Sequence, residues 1–551
     1  MKLIECVPNF SEGRDRAVLD AITAEISGTE GARLLDVDMG AATHRTVVTF
    51  VGTPAAVEEA AFRAIRTAAE RIDMSRHHGE HARMGATDVC PFVPLAGATM
   101  DDCVAIARRL GERVGRELGI PVYLYEAAAN RPERRALADI RAGEYEGLPR
   151  KLADPAWAPD FGPAEFRPRS GATVIGAREF LIAWNVNLNT RDKRLAQRIA
   201  EELREKGKTV KDAEGRSTVR PGRFKELRGV GWYIEEYGRA QVSFNLTNHR
   251  VTSLHAVFDA CCALAESMGL RVTGSELVGL VPLEALLSAG DHYLLRQGRT
   301  PGVSRDERLR TAVLSLGLSD LAPFDAAAKI VELRARGDRA SLGDLRLQGF
   351  LDELGSESPA PGGGSAAALS GALAAALASM VAALAWGKKG REGERPALGA
   401  LGERAQALKD WFLAAVDRDA AAFDDVLAAM RLPRKTPEEK AAREAAMQRA
   451  TLAAAEVPQE VLERAVGALQ LALAAAERGL PASVSDAGVA GACARAAAEG
   501  AALNVRINAA SLQEGPAREA LLARQATALA QAHTLADLVR AAVEGKLTPA
   551  Q

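Results

Sequence analysis

Eight histidines occur in 551 residues, and three of them (His77, His78 and His81) fall in the run RHHGEHAR from Arg76 to Arg83. An imidazole titrates near neutral pH, so a loop presenting one of these rings could supply general acid/base catalysis. Glu80, Arg83 and Asp88 stand near enough in sequence to orient it. Two other readings remain open. His77 and His81 are four apart, the spacing of paired metal ligands on one helix face, although Gly79 lies between them and no third ligand is evident. The cluster could also be surface histidines bordering a helix end.

A second constellation is VDRDAAAF, from Val416 to Phe423. On a helix, Phe412, Val416, Asp419, Phe423 and Leu427 form one continuous face, and Asp417 lies about 200° away from Asp419. A carboxylate on an apolar face has a raised pKa unless paired, which suits a proton acceptor at neutral pH. Upstream, Pro361-Gly362-Gly363-Gly364-Ser365 opens a long apolar stretch. Free N–H groups and the positive end of a helix would converge there on an anion or a carbonyl. The plainer reading is a glycine-rich linker with Ser365 as N-cap.

Residues 1–180 alternate strand-like and helix-like stretches. Leu34–Asp38, Thr46–Gly52, Val89–Pro94 and Pro121–Tyr125 read as strands, and residues 53–73 and 101–119 as helices. A loop rich in Pro, Trp and Gly runs from Ala153 to Gly171. A second unit follows: a strand at Phe180–Leu188, a helix at 191–206, a strand pair within 231–246 and a helix at 253–268. The expected fold is multidomain. An N-terminal α/β (α+β) half has two sheet-and-helix subdomains (1–180 and 181–330), a polar linker covers 331–344, and residues 345–551 form an all-α bundle of about six to eight helices. Helix stops are expected at Pro396, Pro433, Pro437, Pro458 and Pro481.

Composition excludes several functions. Lys+Arg 70 against Asp+Glu 72 gives a net charge of −2, without the broad basic footprint of a nucleic-acid binder. The N-terminus has no apolar h-region, and the six cysteines form no C-x-x-C pair, so a reduced, cytoplasmic protein is expected. Residues 366–386 are uncharged and long enough to span a bilayer, but Ala, Gly and Ser dominate them, so a buried helix of a soluble bundle fits better. Only four of 25 aromatic rings (Trp386, Trp411, Phe412 and Phe423) lie beyond residue 350. Ala-dense helices pack closely and leave little room for rings.

Several long runs carry a family resemblance. ECVPNFSEG (Glu5–Gly13), DVDMGAATHRTV (Asp36–Val47), RHHGEHARMGATDVCPFVP (Arg76–Pro94), IRAGEYEGLP (Ile140–Pro149), the stretch Phe161–Leu188 and LVGLVPLEALL (Leu277–Leu287) resemble glutamate formiminotransferase. SPAPGGGSAAA (Ser358–Ala368), VDRDAAAF, AMRLPRKTPEEK (Ala429–Lys440) and ALNVRIN (Ala502–Asn508) resemble formiminotetrahydrofolate cyclodeaminase. Together they span essentially the whole chain.

The resemblance implies two successive reactions: transfer of the formimino group from N-formimino-L-glutamate to N5 of tetrahydrofolate, then closure by N10 with loss of ammonia to give 5,10-methenyltetrahydrofolate. The family's acid/base histidine carries over to His81, with Asp38 as partner, although Ala82 stands where the family has proline. The folate loop carries over to Gly162, Pro163, Ala164, Glu165, Phe166, Arg167, Pro168, Arg169, Ser170 and Gly171, and departs from some relatives at Arg167, Arg169 and Ser170. The cyclodeaminase pocket is expected at Gly362, Gly363, Gly364 and Ser365, with the family's proton acceptor carrying over to Asp419. Asn504 and Asn508 share another helix face and could donate hydrogen bonds there to the pterin or to the amidine. Lys435 and the Lys388–Lys389–Arg391 cluster could hold a polyglutamate tail or simply be solvated. Tetrahydrofolate, with or without that tail, is a co-substrate, and no metal, nucleic acid or membrane is expected. The family assembles through dimers into an octamer, so a homo-oligomer is expected. Two alternatives stay open: a helical half that only holds folate or oligomerises, and a wholly non-catalytic folate-binding scaffold.

Overall fold

Proline and glycine cut the first 180 residues into short β-branched and aromatic segments, and these pair into one seven-stranded sheet. In the computed structural model, residues 2–40, 44–78, 82–211, 216–336 and 341–547 are described. The strands are β1 (Ile4–Cys6), β2 (Asn9–Phe10), β3 (Ala32–Gly40), β4 (Arg45–Gly52), β5 (Thr87–Pro94), β6 (Val122–Glu126) and β7 (Thr173–Ala177). β1 and β2 are two halves of one strand position between β4 and β5, so the order reads β3–β4–β1/β2–β5–β7–β6. The β5–β7–β6 pairings are parallel and the others antiparallel.

Helices α1 (Arg16–Ser27), α2 (Pro54–Arg71) and α3 (Met100–Glu117) cover one face of this sheet. Thr53 caps α2, which starts on Pro54, and Thr99 with Asp102 forms a capping box on α3. Ile65, Leu110 and Val114 of these helices meet Phe50, Phe92 and Ile175 of the strands in a closed core. Each large side chain contributes about 1.5–3 kcal/mol there. The short helices α4 (Leu137–Arg141) and α5 (Glu144–Ala153) lie on the other face, where Ile140, Leu148 and Leu152 pack on Val89, Tyr123, Tyr125 and Val174.

The second sheet is wholly antiparallel in the order β11–β12–β8–β13. Its strands are β8 (Ile182–Leu188), β11 (Leu227–Ile234), β12 (Arg239–Leu246) and β13 (Val272–Val278); β9 (Lys208–Lys211) and β10 (Ser217–Arg220) form a separate pair. Helices α6 (Lys193–Leu203) and α7 (Leu254–Ser267) accompany it, and the Trp184 ring lies tilted against Phe244 (6.2 Å) and Phe258 (5.9 Å). The opposite sheet face is polar although buried. Gln241 Nε2 donates to Asn187 Oδ1 (2.8 Å) and Glu276 Oε1 (2.9 Å), and Asn185 Nδ2 donates to the same Glu276 oxygen (3.0 Å). The alternation of Asn185 and Asn187 with Trp184 and Val186 encodes these two faces.

Two compact units divide the chain: Met1–Leu286 with Leu316–Gly337, and Leu287–Ser315 with Asp338–Gln551. This division differs from boundaries drawn at 330 and 345. Most of α8 (Leu283–Arg296) and all of α9 (Arg305–Ser315) belong with the helical unit. There Gly302 lies on Gly402, and a Cβ on Gly302 would come within 2.8 Å of the Gly402 Cα, so only glycine permits the approach. Of the residues expected as a linker, 331–336 are helical. After α10 (Ala326–Lys329), α11 (Val331–Arg336) returns to the first sheet, where Arg334 faces Asp36 at 3.8 Å.

The helical unit continues with α12 (Leu347–Leu354), α13 (Gly363–Trp386), α14 (Arg395–Met430), α15 (Pro437–Arg478), α16 (Val484–Ala510) and α17 (Pro516–Leu547). Its core is largely alanine. α13 packs against α14, α15 and α16; by length and composition it could cross a membrane, but 56% of its apolar window is buried within the unit. Pro396 and Pro437 start helices, whereas Pro458 does not stop one and lies inside α15. Proline lacks the N–H that would bond the Ala454 carbonyl, and Asn508 Nδ2 from α16 bonds it instead at 2.9 Å.

Candidate active sites

In the first unit the described histidines of the run, His77 and His78, are not helical. Asp73 caps a single 3-10 turn over Met74–Arg76, after which His77 is extended, so helical ligand spacing does not apply. His77 is buried, with Nε2 on His44 O (2.8 Å) and Nδ1 accepting from Arg83 Nε (3.3 Å); both ring nitrogens are engaged. Burial holds its pKa below the ordinary imidazole value. The His44 ring stacks on it at 4.2 Å, with Nδ1 toward His78 O (3.0 Å) and Nε2 toward Glu12 Oε1 (3.1 Å). Among the described residues no group of His, Cys, Asp and Glu could hold a metal ion.

The Gly162–Gly171 loop lies against this run. Met74 N donates to Arg169 O (3.0 Å), Ala86 N to Ser170 O (2.8 Å) and Ala172 N to Met84 O (3.1 Å). Tyr145 OH donates to Pro168 O (2.6 Å), its ring lies 5.4 Å from Phe166, and the Arg83 guanidinium stands 5.9 Å from the same ring. Gly162, Ala164, Glu165, Arg167, Pro168 and Arg169 are exposed, while Pro163, Phe166 and Ser170 are half-buried. Glu165 and Arg167 pair loosely at 3.6 Å. The loop is thus fixed at its base and open along its rim.

Among the described residues Asp88 contacts no histidine. It is fully buried, pairs with both Arg45 and Arg141, and accepts from Met84 N at 2.9 Å, fixing the strand end after the run. Asp38 is exposed on β3 opposite Val47 and makes no side-chain hydrogen bond or ion pair among the described residues. His81 lies outside the described residues, as do Gly79 and Glu80. Sequence reasoning missed His44, Glu12, Glu144 and Glu146; the only hint was their place in three of the family-like runs.

In the helical unit the pocket residues meet. α13 begins at Gly363 with Gly362 as N-cap, so Ser365 is inside the first turn and is not the cap. Its hydroxyl donates to Asp419 Oδ2 at 2.9 Å. Any Cβ on Gly364 would collide with the Asp419 carboxylate, and one on Gly363 would stand 3.5 Å from Asn504 Nδ2. Burial raises the Asp419 pKa, while the Ser365 hydroxyl and backbone N–H work the other way. A partly desolvated carboxylate at a helix start can take up and return a proton.

The rest of that face differs from the expected stripe. Phe412 and Val416 are buried, but Phe423 is 40% exposed, so the buried stripe of α14 ends short of it. Asp417 points to a different part of the unit, where it accepts from Ser341 Oγ (2.6 Å) and Leu342 N (2.7 Å) and anchors the entering chain. Asn504 Nδ2 bonds its own helix at Gly500 O (2.8 Å). Lys388 and Lys389 follow the far end of α13, about 36 Å from Gly363 at 1.5 Å per residue, so they do not border this pocket.

Comparison with known proteins fits these two sites in order. Residues 3–178 match "Formiminotransferase domain, N-terminal subdomain", residues 183–336 match "Formiminotransferase domain", and residues 346–527 match "Formiminotransferase-cyclodeaminase". The chain is 45% identical to the formimidoyltransferase-cyclodeaminase of Mus musculus, over 99% of both chains. It is 43% identical to the glutamate formimidoyltransferase of Streptococcus pyogenes serotype M1, over 53% of this chain and 93% of that protein. It is 39% identical to the methenyltetrahydrofolate cyclohydrolase of Methylorubrum extorquens, over 37% of this chain and 99% of that protein.

Proposed function

The chain belongs to the formimidoyltransferase-cyclodeaminase family and is a bifunctional folate enzyme, and we propose that His81 and Asp419 carry its two reactions. The enzyme transfers the formimino group of N-formimino-L-glutamate to tetrahydrofolate and cyclises the product to 5,10-methenyltetrahydrofolate with release of ammonia.

In the transferase step N5 of tetrahydrofolate attacks the amidine carbon. His81, with Asp38 as its partner, takes the N5 proton and returns it to the departing glutamate nitrogen, a contribution of about 10²–10⁴ in rate. The loop Gly162–Gly171 holds the folate; its fixed base beside Met74–Ala86 supports this reading. In the second step Asp419 accepts the N10 proton as N10 closes on the formimino carbon, and gives it to the nitrogen that leaves as ammonia. The observation that carries this assignment is the half-buried Asp419 carboxylate against Ser365 and Gly364. Gly362, Gly363 and Asn504 complete the pocket.

The assembled enzyme is a homo-oligomer, in our reading. Leu373, Met380 and Leu384 form an exposed apolar line on α13 that a second copy would cover. A cytoplasmic location accords with six free cysteines. Arg167 and Arg169 on the rim of the folate loop favour a polyglutamate tail on the substrate.

The test adds N-formimino-L-glutamate and tetrahydrofolate to the pure protein and follows methenyl absorbance together with glutamate and ammonia. Glutamate release without methenyl product would leave a transferase whose helical half does not catalyse; release of neither would overturn the assignment.

A further inference from the structure

Arg83 forms one wall of a cavity of about 470 Å³, lined also by His78, Gly143, Glu144 and Glu146. All five N–H groups of its guanidinium are engaged. Nε meets His77 Nδ1 (3.3 Å), and Nη2 meets His77 O (3.3 Å) and Glu146 Oε1 (2.6 Å). Nη1 meets Glu144 Oε2 (3.0 Å) and Glu146 Oε2 (2.9 Å). Glu146 therefore grips Arg83 with both oxygens, the two-pronged geometry in which guanidinium recognises carboxylates.

The burial of the partners is unequal. The Arg83 side chain is 7% exposed, whereas those of Glu144 and Glu146 are 45% and 63% exposed. A buried guanidinium needs a permanent counter-charge, since leaving it unpaired is costly. A carboxylate mostly in water loses little on letting go. Two carboxylates on one guanidinium also leave one negative charge uncompensated. At the start of the segment Gly143 has φ +88 and Glu144 φ +53, a region that non-glycine residues seldom adopt. Tyr145, bonded to Pro168 O and beside the guanidinium, is a fixed post between the two acids.

We propose that Arg83 is the receptor for a carboxylate of N-formimino-L-glutamate, and that Glu146 occupies this receptor as an internal stand-in until the substrate displaces it. The inference rests on the transferase reading above, which supplies a dicarboxylate substrate. Exchange conserves the bonding: one carboxylate leaves the fork for water as another enters, and Arg83 stays paired throughout. A tethered competitor lowers the apparent affinity by the fraction of time it holds the site.

Calorimetric titration with N-formimino-L-glutamate tests this without requiring turnover. Glu146→Gln, which keeps the shape and removes the charge, binds several-fold more tightly than the wild type. Arg83→Lys, which keeps the charge and removes the fork, binds at least roughly tenfold more weakly. Steady-state kinetics of Glu146→Gln shows the same fall in KM for N-formimino-L-glutamate and no comparable change in KM for tetrahydrofolate. Unchanged or weaker binding by Glu146→Gln overturns the stand-in, and undiminished binding by Arg83→Lys overturns the receptor. Should the wild type bind the substrate and release no glutamate, the transferase reading fails while the receptor stands.

Discussion

The Ser365 hydroxyl, in the first turn of α13, donates across 2.9 Å to the Asp419 carboxylate, on α14 at the point where that helix leaves the core. Burial and this bond pull the acid in opposite directions, with burial the stronger. The pair sets the pH at which the carboxylate becomes a base.

Ser365→Ala removes the hydroxyl bond that lowers the Asp419 pKa. A base works only when deprotonated, so cyclodeaminase activity declines as pH falls through that pKa. In the variant the decline occurs at higher pH. A pH–rate profile of ammonia release from supplied 5-formiminotetrahydrofolate checks this; a decline displaced to lower pH contradicts it.

Asp419→Asn and His81→Ala separate the two reactions. The first reduces ammonia release by about 10²–10⁴ and leaves glutamate release intact, and the second does the reverse. Product assays on each half-reaction decide it. One substitution that silences both activities rules out two independent sites.

Asn508→Ala leaves the Ala454 carbonyl without its donor inside the bundle, a loss of about 1–3 kcal/mol. Pro458→Ala restores the backbone N–H that α15 lacks, so the cost of Asn508→Ala shrinks in that background. Denaturant unfolding of the four proteins in the cycle measures the coupling. Strict additivity would show that Asn508 does not repair the proline.

Glu5 is buried on β1, and burial pushes its pKa up to about 8, against the opposing pull of Arg178 and with added repulsion from Glu332. Between its ordinary value of 4.5 and about 8 the unfolded chain releases a proton that the folded chain retains. Stability therefore falls as pH rises through that window, by about 1.4 kcal/mol for each unit of difference, and levels off above it. Glu5→Gln removes the decline, so its Tm advantage over the wild type is larger at pH 8 than at pH 5. Calorimetric scans at both values test the sign.

Sequence pattern located most strands and helices because period-2 and period-3.6 spacing are local properties. The place of Asp419 on one helix face with Phe412 and Val416 was legible for the same reason, but the exposure of Phe423 was not, since it depends on tertiary packing. His77 and His81 suggested a helix face; the Asp73-capped turn and extended His77 break that spacing at once. Pro458 reads as a stop, yet a donor some 50 residues away on α16 keeps α15 continuous. Arg83 was visible as a charge near the histidines, while its two acidic partners, some 60 residues on, required the fold. The place of residues 287–315 in the helical unit was equally out of reach, being fixed by the contact of Gly302 with Gly402.

That last contact bears on how the chain is made. Gly302 leaves the ribosome about a hundred residues before Gly402, roughly 5–20 s earlier at ordinary synthesis rates. Through that interval the 287–315 segment lacks the later helices of its unit, and Leu316–Gly337, which belongs to the first unit, emerges next. The two enzymes therefore cannot mature as successive beads on a string: the second includes a segment made before the last of the first.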